Sequence, residues 1–473
     1  MQQERHQERH QERMNSPLEK HEVRLRGLRP RLLACSPRRG TSRGSSGEFI
    51  RSRIASRIRP RIRPRVPLAQ SHDRHGFALT HSRTHALLLH PHLQPDLPMT
   101  QLPISAHTAL AGTAEAAEHL ASQIAAADPR VIVFFCSAAH DGAALSGALR
   151  GRFPRAEVIG CTTAGEFIER ARGETGVSAM ALGADRVTSC ATRLARFGTG
   201  VYPAVQHAAD EIGRDLGVEL RAADPSRYVG VVLVEGLRGR EEAANHALGI
   251  AAPSLEFVGG SAGDNLAFKS TRVFRNGEES DDGAALLVME MAVPFVVAMT
   301  CSFEPSDSFF TITRADAPNR IVYEVDGRPV LEAYAEAAGV EPGKLDTRVF
   351  MRQPWGMMLD EEAWIRSPQQ ALPDGGLKFY CEIEEGMGLH IMRGTDLVGE
   401  TEAALRRAAA EVGGRIGGAL VFNCILRRLE LDAEDAHEPF LRVFSGFPAA
   451  GFHTYGESYL GHINQTCTGL VFA

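Results

Sequence analysis

A glycine-flanked motif that combines hydroxyls with an acid occurs three times in this chain, each time at the end of an apolar, strand-like run. The copies are Val158-Ile159-Gly160-Cys161-Thr162-Thr163-Ala164-Gly165-Glu166, Phe257-Val258-Gly259-Gly260-Ser261-Ala262-Gly263-Asp264 and Ala450-Gly451-Phe452-His453-Thr454-Tyr455-Gly456-Glu457. The first two sit in longer matching segments. Val131 to Ser137 is followed by a helical stretch from Asp141 to Arg152, the motif, and paired runs at Val177 to Leu182 and Val187 to Ala191. Tyr228 to Val234 is followed by a helical stretch from Glu241 to Ala251, the motif, and paired runs at Ala284 to Met289 and Phe295 to Cys301. The third copy follows the same logic more loosely, with a strand at Ala419 to Ile425, a helix around His437 to Phe444 and a last strand at Thr466 to Phe472.

Segments of shared order bury a common face against one another. The expected fold class is therefore α/β (mixed α+β), with duplicated strand-helix-strand units forming two mixed-sheet halves and helices packed on the sheets. The runs Val131 to Phe135 and Val229 to Val234 are apolar without alternation, as strands covered on both faces are. The pattern changes near Pro305 to Thr313, which places one half at 99–310, with its internal duplication at 131–200 and 228–303, and the other at 311–473.

Charge divides the chain differently. Residues 1–98 hold 20 Lys and Arg against 8 Asp and Glu, a formal +12, which leaves −18 for residues 99–473. A leader so basic and poor in apolar periodicity lacks the surface to offset its ordering entropy, and disorder is expected there. A basic arm, a transit peptide and an overextended start at a codon upstream of Met99 are the competing readings, the last favoured because organised sequence begins directly after Met99. The leader's histidines at 6, 10, 21, 72, 75, 81, 85, 90 and 92 have no ligand spacing in a foldable frame.

The acidic balance of the remainder argues against a nucleic-acid surface. No apolar run there is long enough for a membrane span. Seven cysteines, at 136, 161, 190, 301, 381, 424 and 467, form no Cys-x-x-Cys pair and suit reduced thiols of a cytoplasmic protein.

The three strand ends are the site candidates, because glycines let backbone approach a ligand and α/β sheets place their crevices at the carboxyl ends of strands. Equally, they are repeated structural turns. Gly259 to Gly263 fits the Gly-x-Ser-x-Gly pattern, yet a nucleophile elbow needs a helix directly after Ser261, and Asp264 to Lys269 leads toward a strand instead. Gly413 to Gly418 precedes a strand and serves as a helix stop, not a phosphate loop. In Asn423-Cys424-Ile425-Leu426-Arg427-Arg428 a guanidinium could hold a carboxylate bidentately and depress the Cys424 thiol pKa, or the arginines pair with Glu430 and Asp432 at the surface. A lone His453 is more often structural than a ligand, but it is the best single haem or metal candidate in the chain.

With these motifs, and with Val330 to Gly339 (VLEAYAEAAG), the chain resembles the FIST sensory family over residues 125–473. That resemblance implies a cytoplasmic input module that binds amino acids or related metabolites. It implies a report to a separate signalling protein such as a histidine kinase, a cyclic-di-GMP enzyme or a chemoreceptor. In the ligand site the expectation places Arg427 or Arg428 on an anionic group, and Cys161, Thr162, Thr163, Ser261, Asn265, Cys424 and Tyr455 around the ligand. Glu166, Asp264 and Glu457 are expected to meet an amino group. No cofactor is required; the alternatives are a haem-binding nitric-oxide sensor using His453 and a Ser/Cys hydrolase using Ser261, Cys161 or Cys424.

Overall fold

The computed structural model describes residues 103–198, 200–359 and 362–473, which lie in one compact unit. The basic leader and its nine histidines fall outside the described residues. Continuous apolar runs form the inner strands Val131–Cys136, Tyr228–Val234 and Gly418–Cys424, each buried along its whole length. Each lies parallel to a strand carrying one glycine motif, Glu157–Thr162, Phe257–Ser261 or Ala449–Thr454. On its other side each pairs antiparallel, with Val177–Leu182, Gly283–Met291 or Thr466–Phe472. Helices fill the crossovers: Gly142–Arg152, Glu241–Ala251, and the pair Ile425–Ala433 and His437–Arg442. The protein is a mixed α/β structure, and the third segment repeats the strand order of the first two with a pair of helices where each of them has one.

The expected pairings within the segments are corrected by the register. Val187–Arg196 does not pair with Val177–Leu182 but lies beside Gly283–Met291, and Phe295–Cys301 lies beside Thr466–Phe472. The connector Gly183 to Arg186 carries no two-residue hairpin turn, and the chain instead crosses to the edge of the next sheet.

A second exchange closes the three sheets into a ring. The hairpin Glu166–Ile168 with Ala171–Gly173 leaves the first segment and adds to the third sheet, Phe167 opposite Gly451. Val273–Arg275 with Glu278–Ser280 leaves the second and adds to the first, Val273 opposite Cys161. Glu457–Tyr459 with His462–Ile463 leaves the third and adds to the second, Glu457 opposite Gly260. Asn276-Gly277, both at positive φ, makes the tight turn its sequence predicts.

Alternation along the inner strands sorts their side chains between two cores. Val131, Val133 and Phe135 join Val229, Val231, Leu233, Leu420 and Phe422 in a core shared by all three sheets. Ile132 and Phe134, Val232 and Val234, and Ala419 and Val421 instead face the helices of their own sheets. Phe135 stacks on Phe452 at 4.7 Å and meets Phe422 edge-on at 6.0 Å, joining the first and third sheets. Such aromatic pairs contribute about 0.5–1.5 kcal/mol each beyond their burial.

Residues 303–394 interrupt the third segment between its edge strand and the helix Leu397–Glu411. They build a separate eight-stranded sheet around the buried Trp355 and Trp364. Its first strand, Phe303–Asp316, runs unbroken through the stretch where the sequence pattern changes.

Candidate functional site

The three motifs meet. The Gly263 and Asn265 N–H groups donate to the carbonyls of Thr162 (2.9 Å) and Thr163 (3.2 Å), tying the second motif to the first. Ser261 N–H donates to Gly456 (2.7 Å) and Tyr455 N–H to Ser261 (3.1 Å), tying the third to the second. His453 N–H donates to Gly165 (2.8 Å) and Ala164 N–H to His453 (3.1 Å), closing the triangle. Glycine is required at 165, where φ is +105° and a Cβ would lie 3.2 Å from both Arg428 and His453.

Most of the expected ligand residues are joints of this junction and turn inward. Glu166, fully buried, accepts the Gly176 N–H at 2.8 Å and a longer bond from Thr163, and so fixes the turn after its hairpin. Glu457 accepts from the hydroxyls of Thr454 and Thr466 and from the Thr466 N–H at 3.1 Å. Burial, the dominant influence, raises its carboxyl to about 7 against those hydrogen bonds. Asp264 accepts three backbone N–H groups, from Phe268, Lys269 and Ser270, and the Tyr455 hydroxyl at 2.5 Å. Burial pushes the Asp264 carboxyl up, but these four donors outweigh it and leave the group below its ordinary range.

The cysteine expectations are corrected. Burial raises the Cys161 and Cys424 thiols well above their usual range, and the Glu457 carboxylate raises Cys424 further. Ser261 is buried with its hydroxyl unpaired, so no base is hydrogen-bonded to it.

Arg427 and Arg428 lie on the helix Ile425–Ala433 and not at the end of a strand, which turns them to different sides. Arg427 is fully buried and donates to Asn423 (2.9 Å), Ser302 (3.1 Å) and Thr401 (2.8 Å), a tie between elements with no side open to solvent. Arg428 reaches the junction, donating to the Ala164 carbonyl (2.7 Å), Asn265 (2.8 Å) and Glu174 (2.6 Å).

His453 is 4% exposed, its Nδ1 accepts from Asn423 at 3.0 Å, and its ring lies 5.2 Å from Phe167 and 6.4 Å from His437. Burial, then Arg428 and His437, hold its pKa well below the usual range. A ring so enclosed does not fit an axial haem ligand, which needs a free nitrogen facing a macrocycle-sized space. Among the described residues no cluster of three or more His, Cys, Asp or Glu could hold a metal ion.

On its outer side the junction carries the loop Asp264 to Ser270, strained at three positions: Asn265, Leu266 and Phe268 all have positive φ. Tyr455 holds it by accepting the Leu266 N–H (2.8 Å) and stacking on Phe268 (5.2 Å), while Leu266 and Phe268 stay exposed. Next to this loop a crevice of about 560 Å³ opens between the carboxyl end of Val131–Cys136 and the start of the helix Gly142–Arg152. Of the residues the sequence singled out, Thr162 lines it, together with His140, Asp141, Ser270, Arg272 and Glu279. These last five were not singled out in the sequence, although Asp141, the N-cap of the helix reached through Ser137 to His140 after the buried strand, was an available signal.

Three α/β sheets, each lending a hairpin to the next, thus meet at a glycine-rich junction beside an open strand-end crevice. Residues 130–328 match the FIST N domain and residues 331–459 the FIST C domain, and the chain belongs to the FIST family, whose domains are sensory modules of signal transduction. The uncharacterized protein MJ1623 of Methanocaldococcus jannaschii is 22% identical over 371 residues, covering 68% of this chain and 69% of its own length.

Proposed function

We propose that this protein is a cytoplasmic sensory module that binds an amino acid or related small metabolite without transforming it and reports to a separate signalling protein. A histidine kinase, a cyclic-di-GMP enzyme or a chemoreceptor is the class of partner. The observation that carries this reading is the junction of three motifs with a strained loop on its outer side. A ligand touching that loop biases contacts shared by all three sheets, and a partner reads the change through differential affinity.

Binding is favoured over hydrolysis because Ser261, Cys161 and Cys424 are buried, with raised thiol pKa values and no base on the serine. The seven cysteines of the described residues are free thiols, which supports a reducing compartment. No helix among the described residues is long and apolar enough to cross a membrane.

The test is the melting temperature of the full chain against a panel of amino acids, small carboxylates and haemin. Selective binding to the native state raises it by mass action. A saturable rise with one class of amino acid or carboxylate is expected. No rise with any of them, together with covalent labelling of Ser261, Cys161 or Cys424 by an activity-based probe, would contradict the reading.

A further inference from the structure

A groove of about 840 Å³ lies between Phe295–Cys301, the outermost described strand of the third sheet, the helix Leu397–Glu411 and the inserted sheet. Hydroxyls on the corresponding outer strands of the other two sheets are tied down. Ser105 donates to Glu169 (2.7 Å), and Thr192 donates to Glu157 and accepts from Arg275 (3.0 Å). Thr300 lines the groove and is 6% exposed, yet its hydroxyl has no partner among the described residues. Such a buried group costs stability unless something else supplies its hydrogen bond.

The two faces of this outer strand differ in chemistry. Val296 and Ala298 face the helix, whose groove side carries Glu400, Arg407 and Glu411. Met299 and Cys301 face away from it, Cys301 in one apolar cluster with Phe303 and Met358 of the inserted sheet. With Glu304 and Glu362 added, four carboxylates line the groove against the one lining cation, Arg407. The described chain begins next to its end. A Cβ at Gly418 would stand 3.0 Å from Pro103 and 2.7 Å from the ring of Phe472, the residue opposite Phe295. What precedes Pro103 is the basic leader, and one stretch of it departs from the general lack of pattern. Read at the period of a strand, Ile50, Ile54 and Ile58 share a face with Ser52 and Ser56, while Arg51, Arg53, Arg57 and Arg59 take the other with Ala55. Pro60 ends the stretch, since it has no N–H to donate.

From this we infer that the groove is the docking surface of the chain's own leader, residues 50–59, which lie in it extended along Phe295–Cys301. The isoleucines meet Met299, Phe303 and Met358, the arginines meet Glu400 and Glu411 across the helix, and one of them supplies the partner that the Thr300 hydroxyl lacks. Residues 60–102 are long enough to return the chain from there to Pro103. Because leader and groove belong to one chain, the contact forms at a high effective concentration and needs little intrinsic affinity. Its effect is to cover a sheet edge that would otherwise invite pairing with another chain. This role sets aside the overextended start favoured by the sequence, and it is independent of the ligand reading above.

Limited trypsin digestion of the full chain tests it, because cleavage reports the fraction of time a segment is open. Wild type should be cut at Arg51, Arg53 and Arg57 about tenfold or more slowly than at Arg43 and Arg74, the leader sites on either side. Ile54→Ser with Ile58→Ser, which leaves the charge unchanged, should remove the difference and speed amide exchange at residues 295–301. Glu400→Lys with Glu411→Lys should remove it as well, and 0.5 M salt should reduce it by screening. The first pair lies in the leader and the second on the partly exposed side of a helix, so an unchanged circular dichroism spectrum confirms the fold. Equal cleavage rates at all five sites in wild type overturn the docking, as does protection that survives either pair of substitutions. Protection that weakens on dilution seats the leader of a second copy in the groove and overturns the contact within one chain.

Discussion

The Tyr455 hydroxyl donates to the Asp264 carboxylate at 2.5 Å and accepts the Leu266 N–H at 2.8 Å, so one side chain of the third motif holds the loop that follows the second. Segments nearly two hundred residues apart in the chain are thereby set in one geometry. The strain of the loop is balanced at this point.

Tyr455→Phe keeps the stack on Phe268 and removes both hydrogen bonds. The expected loss is about 1–2 kcal/mol in denaturant unfolding. Amide exchange at Leu266, Phe268 and Lys269 should accelerate more than the global core, because the loop opens locally before the body unfolds. Equal acceleration everywhere would remove the loop's separate role.

A pH dependence follows from Glu457, whose folded pKa of about 7 lies above its unfolded value. The proton is held more tightly in the folded state, so this group's stabilisation is complete below the unfolded pKa and is lost as pH rises through about 7. Glu430, raised by burial to about 7 as well, acts in the same direction. Glu457→Gln should flatten, and Glu457→Gln with Glu430→Gln should flatten further, the decline in melting temperature between pH 5 and 8. An unchanged slope in the double variant would contradict the assignment.

Arg427→Ala should destabilise the fold by about 3 kcal/mol or more, since it empties a buried volume and leaves Asn423, Ser302 and Thr401 without their common donor. Amino-acid affinity of the folded protein should stay within about twofold. A selective loss of affinity with unchanged stability would return Arg427 to the ligand-binding role its sequence position suggests.

His453→Ala should leave the haemin response of the protein unchanged. Wild type mixed with haemin is expected to show no Soret band that depends on this residue. A band lost on His453→Ala would show that the packing around Phe167 and His437 opens to admit the macrocycle.

Much of the fold was legible because its signals are local. Unalternating apolar runs at Val131 and Tyr228 marked inner strands, and Asn276-Gly277 marked its hairpin. The exchange of hairpins was not legible. A strand as short as Val273–Arg275 carries too little pattern to name its partner, and Cys161 is more than a hundred residues away. The lining of the crevice was partly legible for a related reason. Thr162 lies in a motif the sequence singles out, whereas Arg272 and Glu279 reach the crevice only because the second segment lends its hairpin to the first sheet. Arg427 and Arg428 were indistinguishable as neighbours in sequence, and the rotation of about 100° per residue in a helix separates a structural tie from a junction contact.

Hydrogen exchange of the full chain, with and without a saturating mixture of free α-amino acids, tests most directly whether ligand capture is felt at the three-motif junction. Protection is predicted at residues 138–144 of the crevice, along the loop 264–272 and across residues 453–457 of the third motif. Exchange unchanged at all three, or protection confined to a surface remote from them, would contradict the account.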